Sequence, residues 1–139
     1  MKIIQEYNNS YTVRLDPGEE FIKTLQDFCE KKGIYAGSLE AVGSAKELQL
    51  ACYNLGRKEY EMKDFSEFVE ILNVTGNVAL KEGKVFVHAH GVFGRADMTT
   101  FGGHVNKCVI SATAEVVLRA GEGEVKREFD ETTGLYLLS

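Results

Sequence analysis

Three histidines carry the concentrated chemistry of this 139-residue sequence, and all of them lie between positions 88 and 104. His88 and His90 stand two apart in Val85-Phe86-Val87-His88-Ala89-His90-Gly91, a β-branched and aromatic run that reads as a strand. Residues two apart on a strand project from the same face, about 6–7 Å from each other, so both imidazoles can converge on one point. His104 closes Phe101-Gly102-Gly103-His104, just after the turn region Asp97-Met98-Thr99-Thr100, and a hairpin there would lay it beside the first pair. Three neutral imidazoles at about 2.0–2.1 Å suit a divalent metal, zinc above all, with a coordination position left for water or a small ligand. Gly102 and Gly103, having no side chains, would let ligand or backbone approach that point closely. The alternative is a hydrogen-bonded polar cluster without metal, because a histidine pair on a strand also serves purely structural ends.

The acids near this constellation are less well placed. Glu70 shares its alternation with Phe68, Leu72, Val74, Val78 and Leu80, and a carboxylate on an apolar face needs a partner. It is the candidate catalytic base or an interface contact; its bland reading is a strand-end residue whose head reaches solvent. Asp97 and Glu115 are candidate fourth ligands or plain surface acids. No acid follows at the position of a cupin glutamate, which argues against that fold. Arg57-Lys58, Lys81, Lys84 and Lys126-Arg127 read as scattered, solvated charges without the aromatic interleaving of a nucleic-acid groove.

The elements that must position these residues are mostly strands. One helix is signalled over 17–32, with Asp16 as N-cap, Pro17 at the first helical position, Phe21, Ile22, Leu25, Phe28 and Cys29 as its apolar stripe, and Gly33 as its stop. Tyr11, Val13 and Leu15 alternate before it. After it come strands over 36–43 and 46–54, a turn at 54–58, a long strand over 68–80, a hairpin turn Lys81-Glu82-Gly83-Lys84 and its partner over 85–93. The stretch 105–120 places Cys108, Ile110, Ala112, Ala114, Val116 and Leu118 on one face; a strand near 124–129 and the tail Thr132-Thr133-Gly134-Leu135-Tyr136 follow. The pattern is α+β and mainly antiparallel.

Bulk properties narrow the function class. A chain of 139 residues with 44% hydrophobic and 27% charged residues is expected to be a single domain, 1–139, with its own core. There is no apolar run long enough for a membrane helix and no signal-peptide pattern at Met1–Glu6, so a cytoplasmic location is expected. Cys29, Cys52 and Cys108 are odd in number and widely spaced, which points to reduced, mostly buried thiols. A formal charge of −5 disfavours DNA as a partner, since DNA binders present a basic face to phosphate.

At Leu15-Asp16-Pro17-Gly18-Glu19, Val69-Glu70-Ile71-Leu72-Asn73-Val74-Thr75-Gly76-Asn77, His88-Ala89-His90, Gly102-Gly103-His104 and Thr132-Thr133-Gly134-Leu135 the sequence resembles the plant and prokaryote conserved (PPC) domain family. The resemblance spans nearly the whole chain and rests on the order and spacing of these motifs together. It implies about seven strands in a mainly antiparallel sheet with one packed helix, assembly as a homotrimer, and a metal site proposed in prokaryotic members that maps onto His88, His90 and His104. Plant members carry Arg-Gly-Arg-Pro AT-hooks that enter the DNA minor groove, and the family is labelled DNA-binding by association; this sequence has no such motif. The expected function is a trimeric binding or regulatory module with a three-histidine metal or small-ligand site. The alternative is a zinc-type metal-dependent enzyme of unknown substrate, in which Glu70 would move protons.

Overall fold

A computed structural model describes residues 1–139. Eight strands and one helix follow in the order β1 Lys2–Tyr7, β2 Ser10–Leu15, α1 Phe21–Lys32, β3 Gly37–Asn54, β4 Glu59–Lys81, β5 Lys84–Gly94, β6 Thr100–Ala120, β7 Lys126–Asp130 and β8 Leu135–Leu138. The α+β character and antiparallel pairing expected from the sequence are present, with one strand more than the resemblance implies; β4 and β7 alone run parallel, over two residue pairs.

The helix begins later than its proline suggests. Asp16 and Glu19 close a turn through Glu19 N–H to the Asp16 carbonyl, with Gly18 in the left-handed region at φ 87°. That turn lies along β6, exchanging hydrogen bonds between Gly18 N–H and Ile110 O and between Ile110 N–H and Glu19 O. The strand contact claims the backbone that a longer helix would use, so the N-cap is Glu20 and not Asp16. Its carboxylate accepts from Ile22 N–H at 3.2 Å, Lys23 N–H at 2.7 Å and Cys108 N–H at 2.9 Å, joining the helix end to β6. At the other end Gly33 adopts φ 67°, and Ile34 N–H returns to Cys29 O, a left-handed stop as expected. Phe21, Leu25, Phe28 and Cys29 are buried, each large side chain contributing about 1.5–3 kcal/mol.

The sheet closes on itself. β3 pairs with β4 and β6, β4 with β5, and β5 returns to β6, so these strands make a circuit whose inner face joins the helix in one apolar core. The segments 36–43 and 46–54 form one strand with irregular register at Ala41–Gly43 and Ala45–Glu47, because β3 bends to serve two neighbours. A bulge between Ile71 and Asn73 changes which side of β4 faces inward. Val69 and Ile71 are buried before it and Val74 and Val78 after it, so Phe68, Glu70 and Leu72 do not share the face of Val74 and Val78 and are exposed. A comparable shift between Gly43 and Ala45 opposite β6 leaves Ala112 exposed while Ile110 and Ala114 are buried.

Two-residue turns set the hairpin registers. Glu82 and Gly83, at φ 51° and 75°, connect β4 to β5, and Asn8 and Asn9, at φ 45° and 60°, connect β1 to β2. Cys29 and Cys108 are buried free thiols, while Cys52 is free and exposed. No helix is long and apolar enough to cross a membrane.

Gly76 on β4 lies against the backbone of β5, where an added Cβ would collide with the carbonyl oxygen of His88 and stand 3.0 Å from Ala89 Cα. Gly76→Ala is therefore expected to lose about 1–3 kcal/mol in urea unfolding, whereas Gly56→Ala, where the added carbon meets only Asn54 Oδ1 at 3.5 Å, stays within about 0.5 kcal/mol of the parent. Equal losses in the two variants would contradict this account of how β5 is seated.

Candidate metal centre and its cavity

On β5 the residues Val85, Val87, Ala89 and Phe93 point into the core, which leaves Phe86, His88 and His90 on the outer face. His88 stands opposite Asn77 and His90 opposite Thr75 on β4. The turn between β5 and β6 brings His104 directly opposite His90, with Ala51 of β3 on the other flank of His104. One candidate ligand atom from each histidine lies within 4.8 Å of the other two, and the ring centroids are 5.0, 5.0 and 5.3 Å apart. The expected hairpin thus gathers the three imidazoles in one place.

Glycines make this approach possible. A Cβ on Gly102 would strike the carbonyl oxygen of Gly91, and one on Gly103 would come within 2.9 Å of the Ala51 carbonyl. The room expected for a ligand beside Gly102 and Gly103 is in large part occupied by neighbouring backbone, although both also line a shallow groove with His90, Thr75 and Asn73.

On the other side of the cluster, His88 and His104 open onto a cavity of about 400 Å³, walled by Tyr60, Phe86, Arg127 and Tyr136 among others. Its outer wall is the β7–β8 hairpin, held to β3 by Tyr53 Oη donating to Thr133 O at 2.5 Å, and to the β4–β5 turn by Tyr136 Oη donating to Glu82 Oε1 at 2.6 Å. Arg127 is the residue the sequence reading misplaces. It is partly buried, not a solvated surface charge: its Nη2 donates to Asn77 Oδ1 at 2.8 Å and meets His88 Nδ1 at 3.1 Å, and its Nη1 donates to Tyr136 O at 2.9 Å. No local signal marks it: four of the five residues in Lys126–Asp130 are charged, and what covers Arg127 is remote in sequence. Lys81 is likewise no free surface charge, with its Nζ 4.2 Å from the centre of the Tyr136 ring.

None of the acids joins the site. Glu70 is exposed and lines a separate groove with Phe68, Leu72 and Arg95. The Asp97 carboxylate accepts from Thr99 N–H at 2.9 Å and Thr99 Oγ1 at 2.6 Å and so shapes the β5–β6 turn. Glu115 is exposed opposite Arg14.

Two of the imidazoles, His88 and His104, are held toward the neutral form. Burial pushes His88 down from 6.5 to about 4, helped by the nearby charges of His104, Arg127 and His90; burial also lowers His104, with His90 and Arg127 adding to it. Neutral imidazole is the form that ligates metal. His104 Nδ1 is buried without a hydrogen-bond partner, an orphan that an ion or ligand would satisfy. The residues present fit a metal in donor type, number and spacing.

Arg127 adds a constraint. A guanidinium has no acceptor, so the contact with His88 requires a lone pair on Nδ1 and a proton on Nε2. A neutral imidazole has a single ring lone pair of this kind. Ligation through either nitrogen therefore takes from Arg127 the acceptor it now uses.

Because the folded protein keeps His88 neutral while the unfolded chain protonates near pH 6.5, falling pH favours the unfolded state. Stability is full above about 6.5 and is lost as pH falls toward about 4. In chelator-treated protein the melting temperature is expected to fall across this window, and less steeply in His88→Gln. Carboxylates with lowered values, such as Asp97, act near and below 3.8 and leave the upper part of the window clear. Identical slopes for parent and variant would contradict the assigned burial of His88.

Comparison with known proteins agrees with the architecture. A solved structure from Bacteroides thetaiotaomicron, named a candidate DNA-binding protein, is 31% identical, with 97% of this chain and 94% of that chain covered and a TM-score of 0.93. A metal-containing protein from Archaeoglobus fulgidus is 34% identical over 100% of this chain and 99% of its own, with a TM-score of 0.88. A plant- and prokaryote-conserved protein from Pyrococcus horikoshii is 29% identical, covering 95% and 92%, at a TM-score of 0.89. Among curated proteins none matches. The profile of the Plants and Prokaryotes Conserved (PCC) domain matches residues 4–122, and the chain belongs to that family.

Proposed function

We propose that the whole chain acts as one domain of a homotrimeric binding module, in which His88, His90 and His104 hold a divalent metal beside a small-ligand cavity. The observation that carries this reading is the convergence of three ligand atoms within 4.8 Å, one histidine having a buried nitrogen without a partner. All-nitrogen donors favour zinc among common divalent ions, and three of them leave a position for water or ligand. A bound ion there would act as a Lewis acid and charge anchor. The metal-containing relative from Archaeoglobus supports the reading.

A binding role is preferred to a zinc-type enzyme because the cavity against the imidazoles is lined by no Asp or Glu that could shuttle protons, and Glu70 lies on another groove. The DNA-binding name carried by the Bacteroides relative is not extended to this chain, whose charge of −5 would be multiplied in a trimer. The trimer reading is supported by the exposed apolar side chains Phe68, Leu72 and Met98, which line one groove with Glu70, and by Val42 and Val92, also exposed.

One untagged sample tests both parts. Elemental analysis is expected to find about one zinc or related ion per protomer, reduced at least tenfold in His104→Ala. Light scattering is expected to give the mass of three chains for both proteins. Equal metal content in parent and variant would remove the site, and a monomer at micromolar concentration would remove the assembly.

A further inference from the structure

The cavity wall carries positive charge with no counter-ion. Eleven ion pairs cross the molecule, and neither Arg127 nor Lys81 takes part in any of them. Both line the cavity beside His88 and His104, and no acid lines it with them. In a chain with more acids than bases, this pairing of two cations without a carboxylate is conspicuous. Arg127 satisfies its fork with neutral acceptors only, and its Nε is buried with no partner at all. A cation partly withdrawn from water with no carboxylate in contact is stabilised by an anion that reaches it. Apart from Asn106 the rest of the wall is mainly apolar or aromatic, with the centre of the Phe86 ring 5.5 Å from the guanidinium carbon and Leu135, Leu137 and Met62 also lining it.

We infer that this cavity takes a small organic carboxylate, its head held by Arg127 and Lys81 and its carbon body laid against Phe86 and Leu137. The volume of about 400 Å³ falls in the range of small-molecule sites and exceeds what an inorganic anion fills. A planar guanidinium matches a carboxylate bidentately, and aliphatic lining rewards a carbon chain that phosphate lacks. The inference rests on the metal reading in one respect: an ion at His88 removes the acceptor that Arg127 now uses, leaving Nη2 to seek another. Metal and carboxylate should therefore bind with positive coupling.

The test is calorimetric titration of zinc-loaded and chelator-treated protein with butyrate and glutarate, with butyramide as the uncharged control and inorganic phosphate as the compact anion. Carboxylate affinity is expected to fall more than about tenfold in Arg127→Gln and by less in Arg127→Lys, each variant being brought to full zinc occupancy before titration and its fold verified by circular dichroism. Equal affinity in parent and Arg127→Gln, tighter binding of phosphate than of butyrate, binding of butyramide as strong as butyrate, or no heat at about 10 mM carboxylate would each overturn the inference. Arg127-dependent carboxylate binding by a protein that takes up no zinc would sink the metal reading alone; zinc uptake without carboxylate binding would sink this one alone.

Discussion

The arrangement depends on one close contact, the pairing of β5 with β6 from Gly94 and Thr100 back to His90 and His104. That short ladder closes the sheet, and its last rung is a histidine facing a histidine. It forms only because backbone replaces side chains at the seam: the Gly91 carbonyl occupies the space a Cβ on Gly102 would need, and the Ala51 carbonyl crowds the same space at Gly103. The glycines suggested by the sequence as ligand contacts are first of all the means by which three strands come near enough for three imidazoles to meet. Seating of β5 on its other edge follows the same logic at Gly76.

Closure also decides the electrical character of the site. With the alternate residues of β5 committed to the core, His88 and His90 face outward, yet the β7–β8 hairpin covers His88 and makes it costly to charge. A neutral imidazole offers one lone pair, and the structure aims Arg127 at it. The cluster is thus a set of nitrogen donors under a cationic, acid-free wall. On the proposed reading, this combination would hold a metal together with an anion.

Much of the architecture was legible because local rules and tertiary packing agree. The stripe from Phe21 to Cys29, the glycine stop at Gly33, the Glu82-Gly83 hairpin and the alternation around His88 each act within a few residues. The misreadings arise where a distant strand intervenes. Asp16 gives up the helix start because Gly18 and Glu19 pair with Ile110. Glu70 changes sides because Leu72 is the extra residue of a bulge that strict alternation does not anticipate. β1 is exposed along its whole length and so shows no in–out alternation, although Asn8-Asn9 is a left-handed pair suited to a two-residue hairpin. Arg127 looks like any strand-surface cation until Asn77, His88 and Tyr136, remote in sequence, are folded around it.

The central claim is that the three imidazoles share one ion on the outer face of the closed sheet. Anomalous diffraction from crystals of the zinc-loaded protein, recorded on both sides of the zinc absorption edge, addresses it most directly. The account predicts one strong peak per protomer bounded by His88, His90 and His104, with Arg127 withdrawn from His88. A peak elsewhere on the chain, or Arg127 still bonded to a His88 that ligates zinc, would contradict it.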